Sequence, residues 1–144
     1  MKSKEFINQL DEARIIDAIA QAERKSSGEV RVYVSRRRRT DPLAIAQKRF
    51  IALGMTRTRH RNAVLIYIAP RTRQFAVVGD AGVHEKCGDA FWREVSAGMT
   101  GLLKEGRFTD ALVGAIQKVG DLLARHFPRD SEDQNELPDR IVRE

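Results

Sequence analysis

Ala63-Val64-Leu65-Ile66-Tyr67-Ile68-Ala69 is an unbroken apolar run of strand length. With no polar side to turn to water, it reads as the central strand of a sheet covered on both faces. Pro70-Arg71-Thr72-Arg73 then forms a short turn into Phe75-Ala76-Val77-Val78, so the two runs read as a hairpin, and Gly79-Asp80-Ala81-Gly82 stops the second strand. Upstream, Val30, Val32 and Val34 alternate with Arg31 and Tyr33, the period of a strand with one face more buried than the other. Thr40-Asp41-Pro42 caps a helix between these strands, with Leu43, Ala46, Phe50 and Leu53 facing inward. This strand-helix-strand unit makes the first two strands parallel.

Helices complete the frame. Phe6, Leu10, Ile15, Ile16 and Ile19 recur at helical spacing over 6–22, behind an N-cap at Ser3, and Ser26-Ser27-Gly28 ends the helix. Cys87, Phe91, Val95, Met99 and Leu102 or Leu103 mark a third helix, and Phe108, Leu112, Ile116, Val119, Leu123 and Phe127 a fourth. The expectation is a three-layer α/β/α sandwich with about four helices and a small mixed sheet, its strands near 29–35, 62–69 and 74–79. Residues 1–127 form the domain. After Pro128 the composition turns to charged residues, Asn and Pro, predicting a mostly disordered tail over 128–144.

Charge is distributed unevenly. The chain of 144 residues carries 26 Lys and Arg against 20 Asp and Glu, yet residues 30–79 hold twelve basic side chains and a single acid, Asp41. The topology splits that basic segment into two patches about 20 Å apart, one strand length. Arg36-Arg37-Arg38-Arg39 lies at one edge with Arg71 and Arg73. It belongs to no recognition motif and has no aromatic platform beyond Tyr33, so a solvated turn, an acidic partner or a membrane surface fits it better than nucleic acid.

At the other edge Ser26 to Glu29, Thr56 to Asn62 and Gly79 to Asp89 converge. They bring Glu29, Asp80, Glu85 and Asp89 toward Arg57, Arg59, His60, Arg61 and Asn62. Carboxylates with a glycine loop suit calcium or magnesium, and neighbouring arginines suit phosphate. The same residues would equally make surface ion pairs, which are common and individually weak. Asp80 would equally cap local amides, and the start of the following helix offers an anion site. Cys87 falls on the inward stripe of its helix and reads as core, as does Trp92; His84 and His126 read as helix-end residues. A lone cysteine forms no intrachain disulfide, and no stretch of about 18 apolar residues occurs, so the sequence reads as a soluble, cytoplasmic protein.

Ser26-Ser27-Gly28-Glu29-Val30-Arg31-Val32, then 61–69, then Val77-Val78-Gly79-Asp80-Ala81-Gly82-Val83-His84 and Phe91-Trp92 together resemble the TPM domain over roughly residues 5–127. The chain is most similar to the bacterial branch without a signal peptide or membrane anchor. The resemblance implies a mixed sheet with helices on both faces, a divalent-cation site near the glycine loop, calcium before magnesium, and weak metal-dependent phosphatase or nucleotide-hydrolysing activity. Carried over, Asp80 and Asp89 are the ligands and Asn62 opens the second strand. Val83 and His84 follow Gly82 where many members have leucine and glutamate, which leaves Glu85 as auxiliary ligand or as the carboxylate orienting water. Ala63 stands where glycine usually follows the asparagine. Arg57, Arg59, Arg61 and Asn62 are then the contacts to a phosphate ester or nucleotide. The competing expectation is a non-catalytic adaptor that meets an acidic or membrane-associated protein, or a membrane surface, through Arg36 to Arg39.

Overall fold

The computed structural model describes residues 11–35, 41–69, 72–129 and 141–143. In chain order the elements are α1 (Glu12–Lys25), β1 (Glu29–Val34), α2 (Pro42–Ala52), a 3-10 turn (Met55–Arg57), β2 (Ala63–Ala69), β3 (Gln74–Gly79), α3 (Ala81–Lys104), α4 (Phe108–His126) and β4 (Ile141–Arg143). The sheet order is β3-β2-β1-β4. β1 and β2 are parallel, from Glu29 opposite Ala63 to Val34 opposite Ile68, and β2 and β3 form the expected antiparallel hairpin.

The pleat sends alternate residues to two cores. Val64, Ile66 and Ile68 of β2 join Val30, Val32 and Val34 beneath α1, α3 and α4. Leu65, Tyr67 and Ala69 face the other way and pack with Ala46 and Phe50 of α2 and with Met55. The molecule is thus an α/β/α sandwich, with three of the described helices on one face and one on the other. All seven residues of β2 are buried, as an unbroken apolar run requires.

Four local expectations change. β1 is buried along its whole length, Arg31 included. Its second face is covered because Tyr33 stacks on Tyr67 at 5.6 Å and Arg49 of α2 lies 5.7 Å over the Tyr33 ring. The capping residue of α1 is Asp11, whose side chain accepts from the Arg14 amide at 3.1 Å, and the helix continues to Lys25; Ser3, Phe6 and Leu10 lie outside the described residues. α2 is capped by Asp41 with Pro42 in its first turn, as read, but Leu43 is 52% exposed because Ala46 and Phe50 carry the helix's buried face. Finally, Ile141–Arg143 pairs in parallel with β1, Val32 opposite Ile141, so the C-terminal region contributes a fourth strand. Three residues are too few to give a periodic signal, which is why the tail composition concealed it. No helix among the described residues is long and apolar enough to cross a membrane.

Candidate functional site

The three segments expected to converge do meet. Gly79 lies opposite Val64, the next amide, Asp80 N–H, donates to the Ala63 carbonyl at 3.0 Å, and Ala63 in turn lies opposite Glu29. Before β2 the chain makes a tight turn: Arg61 N–H donates to the Thr58 carbonyl at 3.2 Å and Arg61 takes φ 52°, in the left-handed region. Asn62 is buried, and its side-chain amide donates to Ser27 Oγ at 3.0 Å. Asn62 therefore fastens two loops together. Gly82 explains how α3 approaches this turn: its N–H donates to the Arg61 carbonyl at 2.9 Å, and a Cβ there would sit 2.5 Å from the His60 carbonyl oxygen.

Asp80 is 5% exposed and fully engaged. Arg61 grips it with Nε and Nη2, each at 2.7 Å, while Asp80 Oδ1 also accepts from the Ala81 amide at 2.8 Å. That hydrogen bond and charge hold the Arg61 guanidinium above its already high range. Arg61 itself stays half-exposed. The first amides of α3 are all taken: Ala81 by Asp80 Oδ1, Gly82 by the Arg61 carbonyl, and Val83 and His84 by the Asp80 carbonyl at 3.0 and 3.1 Å. The helix start thus presents no free donor to an anion, and of the readings open for Asp80 the capping one describes its geometry.

The segment read as a glycine loop is the beginning of α3. Gly88, at φ 71° and ψ −172°, interrupts the helix between Glu85 and Asp89, both exposed. Among the described residues no three His, Cys, Asp or Glu side chains gather closely enough to hold a metal ion. As placed, Asp80, Glu85 and Asp89 do not make a cage for the divalent cation that the family resemblance implies. Arg57 and Arg59 are exposed, Arg59 donating to His60 Nε2 at 3.2 Å, and Glu29 is buried at the start of β1. Cys87 packs against the main core, and burial pushes its thiol up, which keeps it protonated and poorly nucleophilic. Arg36 to Arg39 and Arg71 lie outside the described residues.

Next to the Arg61–Asp80 pair lies a cleft of about 340 Å³ whose lining includes Ser27, His60, Glu85, Lys86, His126 and Phe127. Its walls are joined by Ser27 N–H, which donates to the Phe127 carbonyl at 2.8 Å, and by Lys86, whose ammonium lies 5.3 Å from the Phe127 ring centroid. Sequence reasoning found His60 and Glu85 but missed Lys86 and His126. The end of α4 reaches this edge through a bridge between Ser26 and Pro128, and nothing local to His126 announces that pairing.

A model of the TPM domain family matches residues 1–122. Among solved structures, the BA42 protein of the psychrophilic bacterium Bizionia argentinensis is 36% identical over 92% of each chain, with a TM-score of 0.87. The N-terminal domain of cg2496 from Corynebacterium glutamicum is 17% identical, with 94% of this chain and 81% of that one covered and a TM-score of 0.56. The N-terminal domain of a P. gingivalis protein is 16% identical, with coverage of 84% and 82% and a TM-score of 0.62. These last two share the fold. No curated protein matches.

Proposed function

The chain belongs to the TPM domain family, and from that premise we propose that its convergent edge binds a phosphate-bearing ligand, a phosphate ester or nucleotide, in the cleft between Ser27, His60 and the facing ends of α3 and α4. The observation that carries this reading is the cleft's lining, which sets Lys86, His60, His126 and Ser27 around a single carboxylate, Glu85. Lysine and imidazole donors with a hydroxyl suit phosphate oxygens. A divalent cation, calcium before magnesium, enters this reading together with the phosphate, since a cation held by one carboxylate and ligand oxygens needs no preformed cage. Hydrolysis is a further requirement and is measured separately from binding. The adaptor reading rests on Arg36 to Arg39, outside the described residues, and no observation favours it here.

The test is an amide NMR titration with p-nitrophenyl phosphate, with and without calcium, followed by an assay for p-nitrophenol release. Shifts centred on Ser27, His60, Gly82, Lys86 and His126, reduced in Lys86→Ala, are the expected result. Unmoved amides at millimolar ligand would remove the cleft as a phosphate site. Shifts around Asp80 with calcium alone would instead show Arg61 giving way to a cation.

A further inference from the structure

Among the described residues, β3 is the outermost strand on its side of the sheet and pairs only with β2. The bond from Asp80 N–H to the Ala63 carbonyl fixes the alternation of the ladder. Gln74, Ala76 and Val78 turn their backbone groups to β2, and Phe75, Val77 and Gly79 turn theirs outward. No described residue takes up those outward groups. Folded proteins blunt such an edge with lysine, proline, a bulge or a covering segment. Gln74-Phe75-Ala76-Val77-Val78-Gly79 contains no charge and no proline, and its register with β2 is unbroken over six pairs.

Two cavities flank this edge. One, of about 310 Å³, is lined by Leu43 and Gln47 of α2, Val77 and Val78 of β3, and Trp92 of α3. Val77 and Val78 lie on opposite faces of the sheet, so a cavity touching both straddles the edge, with α2 as one wall and α3 as the other. The exposure of Leu43 and the bareness of Gly79, where a Cβ would collide with the Trp92 ring at 2.1 Å, belong to this slot. The second cavity, of about 170 Å³, lies at the start of the strand beside Phe75 and is lined by Arg73 and Lys104 with no carboxylate. Neither cation has an acidic partner among the described residues.

We infer that the β3 edge docks an extended peptide by strand addition, with an acidic side chain held at Arg73 and Lys104 and an apolar side chain lodged against Trp92 between α2 and α3. Phe75, beside Arg73 and Lys104, and Gly79, against Trp92, stand four residues apart on the same face of β3, about 13 Å of extended chain, so the acid and the apolar anchor stand four positions apart on one face of the peptide. A free peptide strand brings no helices of its own to the slot. The β3 of a second copy would carry its own flanking helices into the same space, and it brings no acid to Arg73 and Lys104.

Trp92 is the chain's single tryptophan, so its emission reports occupancy directly. The full chain is titrated with a capped octapeptide of alternating valine and threonine ending in two aspartates, and with the same peptide carrying two lysines instead. The aspartate peptide is expected to change Trp92 emission and to shift the Phe75, Val77 and Gly79 amides, and the lysine peptide to bind at least about tenfold more weakly. Val77→Pro removes an outward N–H and no β2–β3 bond, and is expected to abolish binding with the sheet intact. Arg73→Glu with Lys104→Glu, two surface changes that leave the ladder alone, is expected to reverse the charge preference. Equal binding of the two peptides, no response at millimolar peptide, or an unchanged preference in the double variant would overturn the inference. So would β3 amide shifts that grow with protein concentration alone, which would assign the edge to a second copy.

Discussion

The corner where α3 begins and the edge along β3 adjoin one another, and they treat the backbone in opposite ways. At the corner every early amide of α3 has a partner, Asp80 is held by Arg61, and Asn62 is tied to Ser27. Along β3 the alternate amides of Phe75, Val77 and Gly79 face outward with no described partner. Dense polar closure makes a rigid corner that positions the adjoining cleft; open backbone groups make a surface ready to take another strand. Charge alone would have ranked them the other way, since the corner holds the acids and arginines and the strand holds none.

The sharpest way to break this comparison is at Gly82. Its would-be Cβ meets two backbone carbonyl oxygens, of His60 at 2.5 Å and Arg61 at 2.6 Å, and neither can swing aside like a side chain. Gly82→Ala is expected to destabilise by about 2–3 kcal/mol, measured by urea unfolding. Gly101→Ala, in the same helix with open space around its Cβ, is the control and is expected to be neutral or to stabilise by up to about 1 kcal/mol. If the two variants behave alike, the corner is softer than its geometry indicates.

A smaller effect is expected at Asp80. Asp80→Ala removes the cap on Ala81 together with the Arg61 contact and is expected to lower stability by about 1–2 kcal/mol. Asp80→Asn keeps an oxygen for the cap and gives up the charge, so its loss is expected to be about half as large. Thermal unfolding of the pair separates cap from charge. An unchanged midpoint in both would show that the carboxylate plays no part in holding the corner.

Much of the fold was legible because hydrophobic periodicity and turn chemistry act locally. The continuous run of β2, the cap at Asp41 with Pro42, and the hairpin to β3 each follow from a few neighbouring residues, and their combination dictates which loops share an edge. The candidate site was legible only as far as that edge. Residue types placed Asp80 near Arg61, but sequence carries no information on whether a carboxylate is already satisfied, and both oxygens of Asp80 are. Lys86 and His126 come together from two helices that pack directly on each other, and the Ser26–Pro128 bridge, a contact across most of the chain, brings Ser27 to the same place. β4 escaped notice for a related reason, since Ile141 and Val142 become a strand only through pairing with β1.

The smallest expected effect comes from a second arginine–carboxylate arrangement that calibrates the first. Asp110 accepts from Arg107 at 3.0 Å and from Arg14 at 3.3 Å, but its side chain is 37% exposed where that of Asp80 is 5%. The hydrogen bond from Arg107, then that from Arg14, holds the Asp110 carboxyl below the usual carboxylate range. A depressed folded-state pKa contributes stability that is fully present above the unfolded value near pH 4, and that contribution is lost as pH falls through the folded one. Asp110→Asn is therefore expected to lower the melting temperature slightly at pH 7, with the difference from wild type closing below about pH 4. Water and salt screen a pair this exposed, so raising the ionic strength is expected to shrink the difference at pH 7 as well. Asp80, shielded at the corner, is expected to keep most of its effect in the same salt series. Equal salt sensitivity at the two sites would mean that burial at the corner does not set Asp80 apart.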